Sequence, residues 1–586
     1  MRLAAARRFV LDTLFMRCFS FALNQIIVRI AQPGTIGIAA IQLELFLSSL
    51  LFLTREAIRL ALLRTNLTSK VKLQQMVNIS WIPAAILLLL LIATFFSSSF
   101  YWSESISPLT IRLYVLGAFL ELCGEPFFNI FNNKLVLRPR VLAESIAITL
   151  KSLTTCLLLF FFHYEVSAFG IAQVIYGAAY VCTLAACSCL LNDCKRISCN
   201  GTIIDFVDYF PSFLSSLKGP TTTSLHPNTS SKSSKAVAAP VSSPSLYDIM
   251  VHQVGAENIA NVFATGPFYL LKHVLTEGDK IMMTSLRSSY DQGVYAVLNN
   301  YVSLIARLVF YPIEESSRIA FAQCASQIKV EKSNLEASRL LQQQYLLLSR
   351  LVMSLSLLGC LFPTFGVHYS RLAVKLFLAR QYQQEETVST LQAFCSYILV
   401  LGLNGITEAY LHSIMPSSQF TAVNMNLVYS SIIFLTVVAP LNALLGTAGV
   451  VYANSLSMLL RLMLNYQLIH RSFSQPNLIF QRPMEGLPNL AATSIFKNRN
   501  VFLPEIIDFI SPATICTLVV TQLLVFASAT RYSRSGMKWV DALQHVSIGL
   551  LCLASFAYSV WQHHALELRA IVTSISSTTD VKQKDS

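Results

Sequence analysis

The run Trp81-Ile-Pro-Ala-Ala-Ile-Leu-Leu-Leu-Leu-Leu-Ile-Ala-Thr-Phe-Phe96 decides the fold class. It carries no charge, and from Ile86 to Ile92 it has no polar side chain. Its apolar residues are continuous rather than alternating, so a half-buried strand is excluded. With its flanks the segment 75–97 exceeds the ~20 residues a helix needs to cross the hydrocarbon of a bilayer. There every backbone N–H and C=O has to find a partner inside the segment, which a helix provides by itself. The segment is read as a membrane-spanning helix.

The rest of the chain repeats that pattern. Of 586 residues, 54% are apolar and 12% charged, and the mean hydropathy is +0.56. The charged share is about half that of a soluble domain. Disordered chains, fibrous repeats and ordinary cytosolic enzymes are excluded, and long uninterrupted apolar runs argue against a β-barrel. We expect spans at about 8–31, 36–63, 75–97, 109–133, 141–163, 168–191, 259–286, 292–325, 342–365, 387–413, 419–442, 446–470, 506–529 and 540–563. The expected fold is all-α and polytopic, with about 14 transmembrane helices in two six-helix lobes plus two C-terminal helices.

The loops orient these spans. With a cytoplasmic N-terminus, one set of alternate loops and tails holds 24 Lys and Arg residues and the other seven. Such a bias follows the positive-inside rule, and it accounts for the net charge of +13 without nucleic acid. Both termini are expected in the cytoplasm. The domain reading is 1–191 as a first lobe, 192–257 as a flexible Ser/Thr/Pro-rich cytoplasmic linker and 258–470 as a second lobe. A cytoplasmic loop at 471–505, two spans within 506–563 and a tail at 564–586 complete it. Two six-helix bundles suggest alternating access around a central site. The sequons at Asn66, Asn78, Asn200 and Asn228 all fall on the cytoplasmic side and should stay unglycosylated. Cys187, Cys189, Cys194 and Cys199 fit no zinc template and read as free thiols, with palmitoylation and metal binding as the alternatives.

A charge at the bilayer centre costs roughly 2.5–3.5 kcal/mol on insertion scales, so intramembrane charges face a partner, a cavity or the boundary. They concentrate in four spans. The first has Arg17, Asn24 and Arg29, and the second has Glu44, Arg55, Glu56 and Arg59. The seventh has Lys272, His273, Glu277, Asp279 and Lys280, and the eighth has Arg307, Glu314, Glu315 and Arg318. Asn404 and Glu408 lie four apart in the tenth. Cations lining a wet cavity suit an anionic substrate, and Arg suits phosphate through bidentate hydrogen bonds. The plainer alternative is local pairing, as for Glu56 with Arg59, Glu144 with Lys151 or Glu314 with Arg318. Arg55 and Arg59 could also snorkel to the cytoplasmic surface. Glu121 and Glu125, before Pro126, read as structural groups capping a kink.

Nothing in the sequence calls for a cofactor or a metal. No G-x-x-x-x-G-K-[ST], G-x-S-x-G or H-E-x-x-H occurs, so neither ATP coupling nor hydrolysis is indicated. Glu277-Gly278-Asp279 has the look of an acidic glycosyltransferase motif, but it lies inside a span with no large lumenal loop to serve it.

Several segments resemble the Rft family. They are Phe52-Leu-Thr-Arg-Glu-Ala-Ile-Arg59, Leu142-Ala-Glu-Ser145 through Lys151, Leu275-Thr-Glu-Gly-Asp279 and Asp291-Gln-Gly-Val-Tyr295. Arg307-Leu-Val-Phe-Tyr-Pro-Ile-Glu-Glu-Ser316, Asn404-Gly-Ile-Thr-Glu408 and the stretch from Asn24 to Arg29 belong with them. The similarity runs from about residue 9 to 565, in matching order and spacing. The linker is expanded, and Asp279-Lys280 stand where the family often has Glu and Arg. The resemblance implies a fold of 14 helices in two lobes, shared with lipid II flippases and MATE exporters. It also implies residence in the endoplasmic reticulum and non-enzymatic movement of Man5GlcNAc2-PP-dolichol from the cytoplasmic to the lumenal leaflet for N-glycosylation.

The residue pattern is compatible with such a partner, a dolichyl-diphosphate oligosaccharide held among membrane lipid. Arg17, Arg29, Arg55, Arg59, Lys272 and Arg307 are the expected diphosphate contacts or cavity cations. Asn24, Glu56, Glu277, Glu314, Asn404 and Glu408 are expected to orient those cations or gate the lobes. Lys582 and Lys584, fifth and third from the C-terminus, resemble a dilysine retrieval signal. The rivals are an accessory or structural factor of dolichol-linked oligosaccharide assembly and a MATE-like ion-coupled exporter.

Overall fold

A computed structural model describes residues 19–63, 70–96, 106–134, 136, 138–162, 164–190, 198–199, 202–203, 209–211, 273–274, 276–330, 334–415, 420–474, 510–534 and 539–584. Helices account for nearly all of them, apart from a two-residue antiparallel pairing of Ser198–Cys199 with Thr202–Ile203. The helices are α1 Phe19–Ile30, α2 Pro33–Arg59, α3 Val71–Thr94, α4 Pro108–Asn133, α5 Arg138–Phe162 and α6 Glu165–Leu190. Then follow α7 Gly278–Leu286, α8 Ser289–Ile328, α9 Leu335–Phe377, α10 Glu385–Ile414 and α11 Val423–Leu445. The last are α12 Thr447–Phe473, α13 Pro512–Arg534 and α14 Trp539–Ala570. All but α1 and α7 are long and apolar enough to cross a membrane, which makes 12 candidate spans among the described residues. The chain is a multi-pass membrane protein.

Twelve of the expected spans coincide with these long helices. The first is described only over α1, and most of the seventh lies outside the described residues. The chain divides into two compact units, Met1–Glu277 and Gly278–Ser586.

Local signals place the helix ends. Ser107 accepts a hydrogen bond from the Thr110 amide at 3.3 Å, and Pro108 occupies the first turn, where its missing N–H costs nothing. α4 breaks at Cys123-Gly124 and restarts at Glu125 just before Pro126, whose ring cannot continue an unbroken ladder. Ser288 caps α8 by accepting from the Asp291 amide at 3.3 Å. Gly446, at φ +63°, lets the chain turn from α11 directly into α12.

In the N-terminal unit, α6 packs along α4 and α5. Gly117 and Gly177 make the α4–α6 contact possible: a Cβ on Gly177 would lie 2.3 Å from the Gly117 carbonyl oxygen. Close approach of small residues is how helices associate where no hydrophobic effect drives them together. Met76, Phe131, Ala147 and Leu184 fill the core beside them. Tyr209 inserts into the same core, stacked on Phe127 at 4.6 Å, and the Trp81 indole donates to its carbonyl at 3.1 Å. In the C-terminal unit α12 packs on α10 and α11, α8 and α9 flank α10, and α13 pairs with α14. Phe321 meets Tyr410 edge-on at 5.1 Å, and the Tyr410 and Ser472 hydroxyls share a hydrogen bond of 3.2 Å. Phe160, Phe161 and Phe162 stay 60–65% exposed, as a lipid-facing surface requires.

Gly177→Val should lower thermal stability by about 1–3 kcal/mol through overpacking of α4 against α6. Gly278→Ala, where the nearest atom lies 3.6 Å from an added Cβ, should unfold like the wild type. Thermal unfolding of the detergent-purified protein, followed by size-exclusion chromatography, checks both.

Candidate functional site

The N-terminal unit holds four charges in one cluster. Arg55 and Arg59 are one helical turn apart, so both project from the same face of α2. Around Arg55 the α2 ladder widens to i→i+5 bonds over Phe52–Glu56, a distortion often found at functional positions. Opposite stand Glu121 and Glu125, again four apart, on either side of the α4 break. Arg55 Nη1 reaches Glu121 Oε1 at 2.5 Å and Glu125 Oε1 at 3.5 Å. Arg59 grips Glu125 bidentately, Nε to Oε2 at 2.8 Å and Nη2 to Oε1 at 2.6 Å. The Arg59 guanidinium also lies over the Phe128 ring at 3.8 Å. The carboxylates are 7% and 1% exposed and the arginines 18% and 15%, so the cationic side of the cluster is the more accessible.

This pairing corrects three sequence expectations. Arg59 pairs with Glu125 rather than with Glu56 on its own helix. Glu121 and Glu125 do more than flank a kink, because each neutralises an arginine of α2. Glu144 pairs with Arg140 at 3.0 Å, while Lys151 reaches Glu44 at 3.8 Å and lies 5.7 Å from the Tyr176 ring centre. Nearby on α2, Ser49 shares a 3.1 Å hydrogen bond with His273, whose ring stacks on Phe52 at 4.2 Å.

The C-terminal unit has its own polar interior. Glu408 accepts from Asn404 Nδ2 at 3.0 Å and meets Arg461 Nη1 at 3.3 Å. Arg461 Nε donates in turn to Ser430 Oγ at 3.3 Å. Gly405 leaves room for the Glu314 carboxylate, whose Oε1 an added Cβ would strike at 1.8 Å. Glu314 does not pair with Arg318, which bonds Glu315 at 3.4 Å instead. A second cluster joins α7, α8, α10 and α12. Glu386 there takes Arg287 Nη2 together with the Thr447 amide at 3.0 Å and the Thr447 hydroxyl at 2.8 Å.

Arg17 and Lys272 lie outside the described residues. Arg29 is exposed on α1, and Asn24 and Glu56 are half-buried. Arg307 is exposed and held by Ser303 Oγ at 2.8 Å. Glu277 is half-buried in the turn before α7, and the adjacent Asp279 accepts from the Tyr295 hydroxyl at 2.8 Å. The sequence carries little signal for Arg461, a lone charge in an apolar run, or for Arg287, which falls between two expected spans.

Long apolar helices with ion pairs folded into their interior define a multi-pass membrane protein, and the fold is that of the MOP-superfamily transporters. A solved structure titled lipid II flippase MurJ, inward closed conformation, aligns with TM-score 0.54 at 10% identity over 94% of this chain and 98% of its own. An inward-facing MATE family transporter of the MOP superfamily aligns with TM-score 0.53 at 9% identity, over 77% and 93%. The profile of the Rft protein family matches residues 3–574, and the chain belongs to that family. Man(5)GlcNAc(2)-PP-dolichol translocation protein RFT1 of Xenopus tropicalis is 28% identical over 93% of this chain and 91% of its own length. The proteins of the same name from Mus musculus and Saccharomyces cerevisiae are 26% and 28% identical over 94% and 78% of this chain and 92% and 80% of their own.

Removing one member of a buried ion pair leaves an uncompensated charge and costs about 3–5 kcal/mol. Arg59→Met and Glu125→Met should each destabilise by roughly that amount. The double variant should recover most of the loss, a coupling that a double-mutant cycle of thermal unfolding measures.

Proposed function

We propose that this chain moves Man(5)GlcNAc(2)-PP-dolichol from the cytoplasmic to the lumenal leaflet of the endoplasmic reticulum membrane. It acts without enzymatic chemistry and without ATP, with both termini in the cytoplasm. Family membership supports this reading, as do relatives named for that translocation and a fold shared with a lipid flippase. The observation that carries it to residues is the pair Arg55 and Arg59, two guanidiniums side by side in a membrane helix.

A diphosphate presents the oxygen geometry that these guanidiniums already satisfy on Glu121 and Glu125. Substrate binding is an exchange, with phosphate oxygens replacing carboxylate oxygens on the more accessible face of the arginines. The carboxylates then keep the two guanidiniums oriented between cycles. Arg17, Arg29, Lys272 and Arg307 supply further positive charge along the route, and Asn24, Glu56, Glu277, Glu314, Asn404 and Glu408 orient or gate it. With no P-loop in the sequence, a gradient of the lipid or of an ion drives the movement.

The completeness of the α2–α4 pairing favours one second reading, in which the arginines hold the unit together and the chain is an accessory factor of oligosaccharide assembly. The two readings part on substitution. In liposomes containing the lipid-linked oligosaccharide, with lectin accessibility as the readout, Arg55→Gln should slow leaflet exchange by at least about tenfold, equivalent to about 1.4 kcal/mol of lost binding. The double variant Arg59→Met/Glu125→Met should keep most of the wild-type stability yet exchange slowly. Wild-type exchange by that double variant would confine the ion pair to a structural role, and no exchange by the wild-type protein in an assay validated with another translocator would establish the accessory reading.

A further inference from the structure

The α8–α9 hairpin carries a cavity, lined by both apolar and polar side chains, that the charged clusters leave unused. Its volume is about 380 Å³, inside the roughly 300–1,000 Å³ range of small-ligand sites. One face of each helix lines it at helical spacing: Gln323, Cys324 and Gln327 from α8, and Gln343, Gln344 and Arg350 from α9. Four carboxamides and a guanidinium therefore border one cavity. Lys329, Lys332 and Arg339 mark this end of the hairpin as cytoplasmic under the positive-inside rule.

Glutamine in a membrane hairpin ordinarily ties helix to helix. Here the ties are Gln344 Nε2 to the Phe321 carbonyl at 3.4 Å and Cys324 Sγ to the Leu340 carbonyl at 3.5 Å. Among the described residues, the side-chain amides of Gln323, Gln327 and Gln343 bond to nothing, and Arg350 has no carboxylate within ion-pair reach. Gln344 is 1% exposed, and its Oε1 has no partner. Its Nε2 is committed to the Phe321 carbonyl, so the oxygen is the end left to accept.

A buried amide oxygen without a donor is an unmet hydrogen bond. A carboxamide both donates and accepts, which complements sugar hydroxyls and acetamido groups, whereas a guanidinium complements phosphate. A purely apolar guest would leave the Gln344 oxygen unmet, and a bare anion, which only accepts, has no hydrogen to donate to it. We infer that the α8–α9 cavity binds an acetamido sugar joined to a phosphate. This rests on the glycolipid reading above, in which the two GlcNAc units adjoin the diphosphate. The cavity would hold the sugar end at the cytoplasmic side, where the head group starts.

The test titrates the detergent-purified full chain with chitobiose 1-phosphate and with its dolichyl-diphosphate counterpart. Both should bind saturably, and glucose 1-phosphate, which lacks the acetamido group, should bind at least tenfold more weakly. Gln344→Leu and Arg350→Met should each weaken chitobiose 1-phosphate at least tenfold. Gln343→Leu, at an exposed position, provides a variant that folds if Gln344→Leu does not. Absence of saturable binding, or unchanged binding in monodisperse Gln343→Leu and Arg350→Met, overturns the inference. Binding of the free probe with rejection of the lipid-borne one also overturns it as a glycolipid subsite. Saturable, acetamido-dependent binding by a protein that exchanges no glycolipid in liposomes upholds the cavity and sinks the transport reading instead.

Discussion

A guanidinium cannot rest unpaired among lipid chains, and in the N-terminal unit this constraint organises the helices around α2. Arg55 and Arg59 need two carboxylates at the same spacing, and α4 supplies them as Glu121 and Glu125, one on each side of its break. The break itself follows from a local backbone signal, Cys123-Gly124 followed by Pro126. The glycine contact between α4 and α6 then holds the carboxylate helix in place. Loss of any of these parts would leave a buried charge exposed to hydrocarbon, which is why the cluster is structural whatever else it does.

The C-terminal unit meets the same constraint with different parts. Arg461 is held by Glu408 and Ser430, so a carboxylate and a hydroxyl share the work that two carboxylates do in the other unit. Glu386 is satisfied by one arginine and by the amide and hydroxyl of Thr447 at the start of α12. Gly446 is indispensable there twice over. Its φ of +63° makes the turn, and a side chain would put a Cβ 2.7 Å from the Glu386 oxygen.

The long helices were legible because an apolar run of twenty residues has one stable answer in a bilayer. Ion-pair partners were harder, since helical periodicity speaks only of residues three or four apart. Arg55 and Glu121 are separated by 66 positions, and nothing local links them. One signal was present all the same. Two spans each carried a like-charged i, i+4 pair of opposite sign, Arg55 with Arg59 and Glu121 with Glu125, and such pairs match when their helices pack. Pairing Glu56 with Arg59, the plainer alternative that the sequence offers, follows a rule for helices in water, where isolated pairs suffice. In a bundle the better partner is the carboxylate already buried on the neighbouring helix.

A transport site has to release what it binds. Arginines left bare in a membrane would hold a diphosphate too tightly to let it go, and would cost too much desolvation between cycles. Arginines already seated on carboxylates avoid both problems. The resting state is neutral, with two cations and two anions in the cluster. Under the proposed function, an incoming diphosphate would gain only the difference between its bonds and those it displaces, and the displaced Glu121 and Glu125 would stay within reach to reclaim the guanidiniums. Binding that is favourable enough to occur and weak enough to reverse is the general requirement for passage across a membrane. Under the proposed function, the same ion pairs that stabilise the fold set that balance.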